Sequence, residues 1–390
     1  MGRSMKFDVS TVRALLEQRL ATPIEVIESQ RLMPWFVVRC RLAGQSSEVP
    51  ASVIVKVLRQ DPNGFRTDLR QVYTERAALE FVGALDPESV PHLWASDPSA
   101  GILIMEDLAP RIPLAAVLRT GDSAECIAGL RRFARALGRL AAVTVGHESA
   151  YQARHRDIGR FEPDSHRRGL PSGVWERTRG FMSALDAAPS GAAESDLARA
   201  MSELTEPGPF QTPSSGDAGP NNYLVSKDDG RVIDFEAAGY RHAVEDAVCL
   251  YVPGPHWLTA GDPIAEGLEA EYRASLAETI PEAMDDTRFG GAVAAACLVF
   301  AIFRLHRFPK LDAAEEGDPG RLQVVSTLEV AARTAATHRS LPHLRSWVRE
   351  TVDALRRHWP DVDVDLDTFP PHTPRWQEQP TVPVATDIGS

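Results

Sequence analysis

The chain is poor in the features that most directly announce a function. Its four cysteines, Cys40, Cys126, Cys249 and Cys297, are scattered and form no C-x-x-C pair, so neither a zinc site nor a disulfide framework is indicated. Basic residues are the minority, 42 Lys and Arg against 54 Asp and Glu. The resulting net charge of -12 has the wrong sign for a nucleic-acid-binding face. Long apolar runs are also missing: Gly291 to Phe303 falls short of the ~20 residues that span a bilayer, and Arg304, His306 and Arg307 follow it. That stretch reads as a buried helix. The opening residues lack the apolar core of a signal peptide, and no internal repeat is present. A cytoplasmic chain with neither membrane nor nucleic-acid partners is expected.

What is there is an ordinary globular composition, 43% hydrophobic and 25% charged, spread over 390 residues. That length exceeds a typical single domain. Val12, Leu15, Leu16 and Leu20 recur at helical spacing within residues 10–20. Then the period changes. Pro23 to Ile27, Trp35 to Leu42 and Ser52 to Leu58 are rich in β-branched and aromatic residues and predict an antiparallel meander. Helical spacing returns over 66–84 through Leu69, Val72, Ala78, Leu79 and Val82, and Gly101 to Met105 is a further apolar strand. From about residue 111 the pattern is helical, with Leu130, Phe133, Leu137 and Leu140 on one stripe and later helices near 263–280, 291–306, 322–338 and 342–358. The expected architecture is α+β and two-lobed, with an antiparallel-sheet lobe over 1–108 and a mainly helical lobe over 109–365. Residues 366–390, rich in Pro and Thr and without periodicity, read as a disordered tail.

The most informative stretch is G-D-A-G-P-N-N-Y-L-V, Gly216 to Val225, followed by V-I-D-F-E, Val232 to Glu236. Asn222 stands five residues after Asp217, and Asp234 ends an apolar run twelve residues further on. Phosphoryl-transfer sites of the kinase type use this order: an Asp that accepts the hydroxyl proton, an Asn five residues later, and a second Asp, the last two holding Mg²⁺. One amide oxygen and one carboxylate facing nucleotide phosphates suffice for a cation that keeps several waters. Upstream, Lys56 interrupts the apolar V-I-V-K-V-L, where an unpaired ammonium is costly. Glu75, in the first half of the next helix, is its expected partner, with Glu80 the competitor on another face. I-L-I-M-E-D-L, Ile102 to Leu108, reads as a hinge strand whose Met105, Glu106 and Leu108 would meet a nucleotide base. The literal H-R-D at His155 to Asp157 is set aside as a solvated loop, because the residue five beyond Asp157 is Glu162.

Taken in order, Lys56, Glu75, the hinge, Asp217, Asn222 and Asp234 resemble the aminoglycoside phosphotransferase and choline kinase-like family over about residues 25–340. The resemblance implies a protein-kinase-like fold with Asp217 as catalytic base, Asn222 and Asp234 as metal ligands and Lys56 as phosphate clamp. It also implies that Asp246 holds the loop near the metal site. Two positions depart from the pattern. Ser215 stands where the family has His, and the N-terminal hairpin E-S-Q-R-L-M-P has no glycine-rich phosphate loop.

The expected activity is transfer of the γ-phosphate of ATP, or another nucleoside triphosphate, to a hydroxyl of a small molecule with Mg²⁺ as cofactor. Aminoglycoside-like, amino-sugar, nucleoside and amino-alcohol acceptors all fit. Glu236, Tyr251, His256 and Trp257 are candidate acceptor-binding residues, and Glu245, Asp262, Glu266 and Glu269 lie near them in sequence. Carboxylates beside aromatic faces suit a cationic acceptor. The alternative is a catalytically impaired nucleotide-binding regulatory module of the same fold. Oligomeric state is left open.

Overall fold

The computed structural model describes residues 8–32, 37–44, 46–58, 68–159, 170, 172–227 and 229–376. Trp35 and the beginning of the helix expected from residue 66 lie outside them, as do Met33 and Pro34 of the N-terminal hairpin. The N-terminal part runs α1 (Val9–Leu20), β1 (Ile24–Leu32), β2 (Val37–Gly44), β3 (Ser52–Val57), α2 (Leu69–Leu85), β4 (Leu93–Asp97) and β5 (Ile102–Glu106). Asp8 and Asp68 start the two helices by accepting the backbone N–H groups of Ser10 and Arg70, each at 2.9 Å, which satisfies donors that the first helical turn leaves unpaired. The five strands form one antiparallel sheet in the order β1-β2-β3-β5-β4.

Strand period places two different surfaces on β3. Val53 and Val55, with Ile104 of β5, face α1 and close a core with its Val12 and Leu16. Ile54 and Lys56 take the other face, opposite Met105 and Leu103 of β5, on the side packed by Val72 and Leu79 of α2. Burying each such aliphatic side chain contributes about 1.5–3 kcal/mol.

After the connector at Asp107–Arg111 come β6 (Ile112–Pro113), α3 (Leu114–Thr120), α4 (Ser123–Thr144), α5 (Glu148–Ile158), α6 (Ser172–Ala184) and α7 (Gly191–Thr205). Four short strands follow: β7 (Gln211–Ser214), β8 (Tyr223–Val225), β9 (Gly230–Val232) and β10 (Gly239–His242). The chain then continues through α8 (Val244–Tyr251), α9 (Leu268–Ala277), α10 (Asp286–Arg304), α11 (Phe308–Asp312), α12 (Pro319–Thr337) and α13 (Pro342–His358). β7 pairs with β10, and β8 lies between β6 and β9. The two-lobed α+β arrangement expected from the residues is therefore present. The apolar stretch that begins in α10 is 72% buried, and its Ala292, Ala294, Ala295 and Ala296 let neighbouring helices approach closely. It is a core helix, as its composition indicated.

Two expectations need correction, and one strand, β4, was not expected. H-R-D is not a solvated loop but part of α5, with His155 buried against Thr74 (Oγ1 to Nε2, 3.2 Å). The segment from residue 366 begins as ordered chain: Leu366 and His372 are buried, and Pro374 bridges to Trp257. Proline and threonine hid this, because the segment is held by backbone hydrogen bonds to a distant loop rather than by a periodic apolar face.

Candidate active site

Lys56 extends from β3 toward three carboxylates. Its Nζ lies 2.5 Å from Glu75 Oε2 and 2.6 Å from Asp234 Oδ1, with Glu236 Oε2 at 3.4 Å. The expected Lys56–Glu75 pair is formed. Glu80 instead points to Arg76 and Arg154 at 2.9 and 3.2 Å, five residues further along α2. Glu75 is almost wholly buried, and that burial raises its carboxyl above the ordinary range against the lowering influence of the ammonium. The oxygens of Glu75, Asp234 and Glu236 lie within 4.8 Å of one another, an assembly of hard donors whose charge exceeds that of one ammonium. Such a set fits a divalent cation, and Asp234 is the expected ligand within it; Asn222 is not part of the set, its Oδ1 accepting from Asn221 Nδ2 at 3.2 Å.

Asp234 follows β9 with φ +69°, a left-handed conformation that Asp tolerates better than most residues. The hydrogen bond from Ile233 N–H to the Asn222 carbonyl, 2.9 Å, ties it to the neighbouring loop. In that loop Asn222 Nδ2 donates to the Asp217 carbonyl at 2.9 Å and to its Oδ2 at 3.1 Å. The amide nitrogen is thereby turned toward Asp217.

The loop is fixed from below. Asp246, buried at the start of α8, accepts hydrogen bonds from the Ser214 hydroxyl and from Ser215 N–H, the latter at 2.9 Å. Burial raises its carboxyl, and those same hydrogen bonds oppose the rise. Gly216 has φ +78°, and a Cβ there would stand 2.2 Å from the Ala237 carbonyl oxygen. The glycine before Asp217 is therefore required by both backbone and space.

At the hinge, Met105 and Leu108 are buried, and Glu106 N–H donates to the His92 carbonyl at 2.8 Å. Sequence reasoning missed the pin beside them. Asp107 accepts Arg39 Nε at 2.7 Å and the Ser52 hydroxyl at 2.7 Å, joining β2 and β3 to the connector.

Asp217, His256 and Trp257 line one cavity of about 80 Å³. Two of the candidate acceptor residues do not join them. Glu236 lies beside Lys56, because buried Phe235 turns one way and the flanking carboxylates the other. Tyr251 is buried, with its hydroxyl donating to Glu269 Oε2 at 2.9 Å, and burial raises that hydroxyl well above its ordinary pKa.

The sequence profile of the phosphotransferase enzyme family matches residues 51–288. The chain belongs to that family. No curated protein sequence matches it significantly. Solved structures similar to it include the choline kinase LicA from Streptococcus pneumoniae, at 16% identity with TM-score 0.46, covering 84% of this chain and 98% of that one. Another is the macrolide 2'-phosphotransferase MphH from Brachybacterium faecium, at 13% identity with TM-score 0.42, covering 84% and 98%. A third is a choline kinase from Cryptosporidium parvum, at 12% identity with TM-score 0.46, covering 91% and 99%. The family match takes in Lys56, Glu75, Asp217, Asn222, Asp234 and Glu236 and stops short of the C-terminal segment.

Proposed function

We propose that this family member transfers the γ-phosphoryl group of ATP to a hydroxyl of a small molecule, with Mg²⁺ as cofactor. The observation that carries the reading is the convergence on one cleft of Lys56, Glu75 and Asp234, with Asn222 linking Asp234's loop to Asp217. Bound Mg²⁺, held by Asn222 and Asp234, would supply charge neutralisation on the phosphates. Glu75 holds Lys56 in place to receive the same phosphates. Asp217 borders the small cavity, where it orients an acceptor hydroxyl and takes up its proton. Little covalent chemistry is asked of the protein, so position and electrostatics dominate.

Asp246 gives Ser215 a context. The loop before Asp217 is held by a buried carboxylate that reaches the Ser214 hydroxyl and the Ser215 backbone, so its shape does not rest on an imidazole at position 215. The test is transfer of label from γ-labelled ATP to a panel of hydroxyl compounds by wild type and Asp217→Asn. The variant should lose roughly 10²–10⁴ in rate while still binding nucleotide. Near-wild-type turnover by the variant would remove Asp217 from the role of base.

A further inference from the structure

Resting on the phosphotransfer reading above, we infer that the acceptor is an uncharged alcohol with a largely apolar body. The cavity beside Asp217 is walled by Leu118, Leu130, Val252, Pro253 and Trp257, and among the described residues Asp217 is its only carboxylate. None of the acidic residues clustered nearby in sequence lines this cavity. Asp262 accepts the Ile264 and Ala265 N–H groups at 3.0 Å each. Glu269 is bound by Tyr251 and His338 at 2.9 and 3.2 Å. Glu236 faces Lys56. Glu266 lines the neighbouring cavity instead, its Oε2 buried without a hydrogen-bond partner among the described residues, 3.7 Å from His372 Nε2.

A cationic acceptor would therefore shed its hydration against a wall whose only described carboxylate is Asp217, and burying an incompletely compensated charge is unfavourable. Pairing with that ammonium would also lower the basicity that Asp217 needs. One face of the Trp257 ring already carries the Arg119 guanidinium, 5.4 Å from its centroid. A second cation at this ring meets like charge.

One polar group on the wall suits a neutral acceptor. His372 is nine-tenths buried and lines the cavity, with its Nε2 at 3.7 Å from Glu266 Oε2, beyond hydrogen-bond distance. Its backbone is fixed. Leu258 N–H donates to the Thr373 carbonyl at 2.8 Å, Thr373 N–H to Thr259 Oγ1 at 2.7 Å, and Arg375 N–H to the His256 carbonyl at 2.8 Å. Of the residues lining the cavity, His372 alone lies outside the family-matched residues 51–288.

The test compares 3,3-dimethyl-1-butanol with choline, which has the same shape with a quaternary nitrogen in place of carbon, and adds kanamycin as a polycation. ADP release with MgATP is measured for each, and nucleotide binding is followed separately. The expected result is a kcat/KM at least tenfold higher for the neutral alcohol than for choline, with no turnover of kanamycin. Preference for choline or kanamycin overturns the inference and leaves phosphotransfer standing. So does failure to use the neutral alcohol while MgATP binds. Absence of MgATP binding overturns instead the reading on which the inference rests. His372→Glu adds a carboxylate to the wall and should move the ratio toward choline. An unchanged ratio in the folded variant overturns the placement of the acceptor against His372, and the wild-type comparison stands whether or not that variant folds.

Discussion

The ammonium of Lys56 lies 2.6 Å from Asp234 Oδ1 although the two residues are 178 positions apart. One is carried on a strand of the N-terminal sheet and the other on a loop of the helical part. Their contact, with Glu75 completing it, is what brings the two halves of the chain into one site.

Removing the cation should expose how far these groups act as a unit. Lys56→Ala leaves the buried Glu75 carboxylate without its partner, and breaking a buried pair costs about 3–5 kcal/mol. Adding Glu75→Ala to that background should cost less than the sum of the singles, with a coupling of roughly 0.5–3 kcal/mol. Urea unfolding of the four proteins measures it. Strict additivity would show that the two side chains do not depend on each other.

Asp234 should decide whether Mg²⁺ strengthens nucleotide binding. In thermal-shift series, ATP with Mg²⁺ is expected to stabilise wild type more than ATP alone, and Asp234→Ala should lose that increment. A ligand at 100 times its dissociation constant adds about 2.7 kcal/mol, and millimolar ATP is appropriate for a hairpin without phosphate-binding glycines. Equal, Mg²⁺-independent stabilisation of both proteins without ATP consumption would favour the non-catalytic module.

Gly216→Ala should damage the loop before Asp217 rather than the nucleotide side. A left-handed φ of +78° and a Cβ only 2.2 Å from the Ala237 carbonyl oxygen predict destabilisation by more than about 1 kcal/mol. Turnover should fall further than nucleotide affinity. Wild-type stability together with wild-type turnover would contradict the loop geometry.

Acid unfolding should register the pin between the connector and the β8–β9 turn. Arg111 holds the Asp229 carboxyl down at about 2, against an ordinary 3.8. Its folded pKa is depressed, so the stabilisation is present above pH 3.8 and lost as pH falls toward 2. Asp229 is 43% exposed, so solvent screening keeps the effect small. Arg111→Met should lower stability slightly across the neutral range and converge with wild type as pH falls toward 2, which flattens the acid limb and is resolved by pH-dependent thermal melts. An unaltered acid limb would show that the pair contributes nothing.

Much of this site was legible because its residues sit in locally informative surroundings. A lysine inside V-I-V-K-V-L is conspicuous against apolar neighbours, and G-D-A-G-P-N-N carries turn chemistry and oxygen donors at fixed spacing. Glu236 was misplaced because its sequence neighbourhood looks acidic and aromatic, whereas its direction is set by buried Phe235 beside it; the D-F-E alternation held that signal. Tyr251 misled for a similar reason, since nothing local reveals that Glu269 takes its hydroxyl. His372 had no local signal at all. It meets the cavity through backbone pairing with residues 256–259, more than 110 positions earlier, and such pairing leaves no pattern of its own. β4, L-W-A-S-D, lacks the β-branched residues that mark the other strands of its sheet.

The alternation along β3 has a consequence for how the chain avoids error. Val53 and Val55 close the pocket under α1, while Ile54 and Lys56 look into the cleft. A slip of one residue against β2 or β5 would reverse every side chain on the strand. It would drive the Lys56 ammonium into the apolar space now filled by Val12, Leu16 and Ile104 and leave a valine facing Asp234. That misregistered sheet is disfavoured by the desolvation of a charge with no carboxylate in reach. The same lysine that would hold phosphate thus also discriminates against the wrong fold, so a substitution at position 56 should cost fidelity of strand pairing as well as turnover.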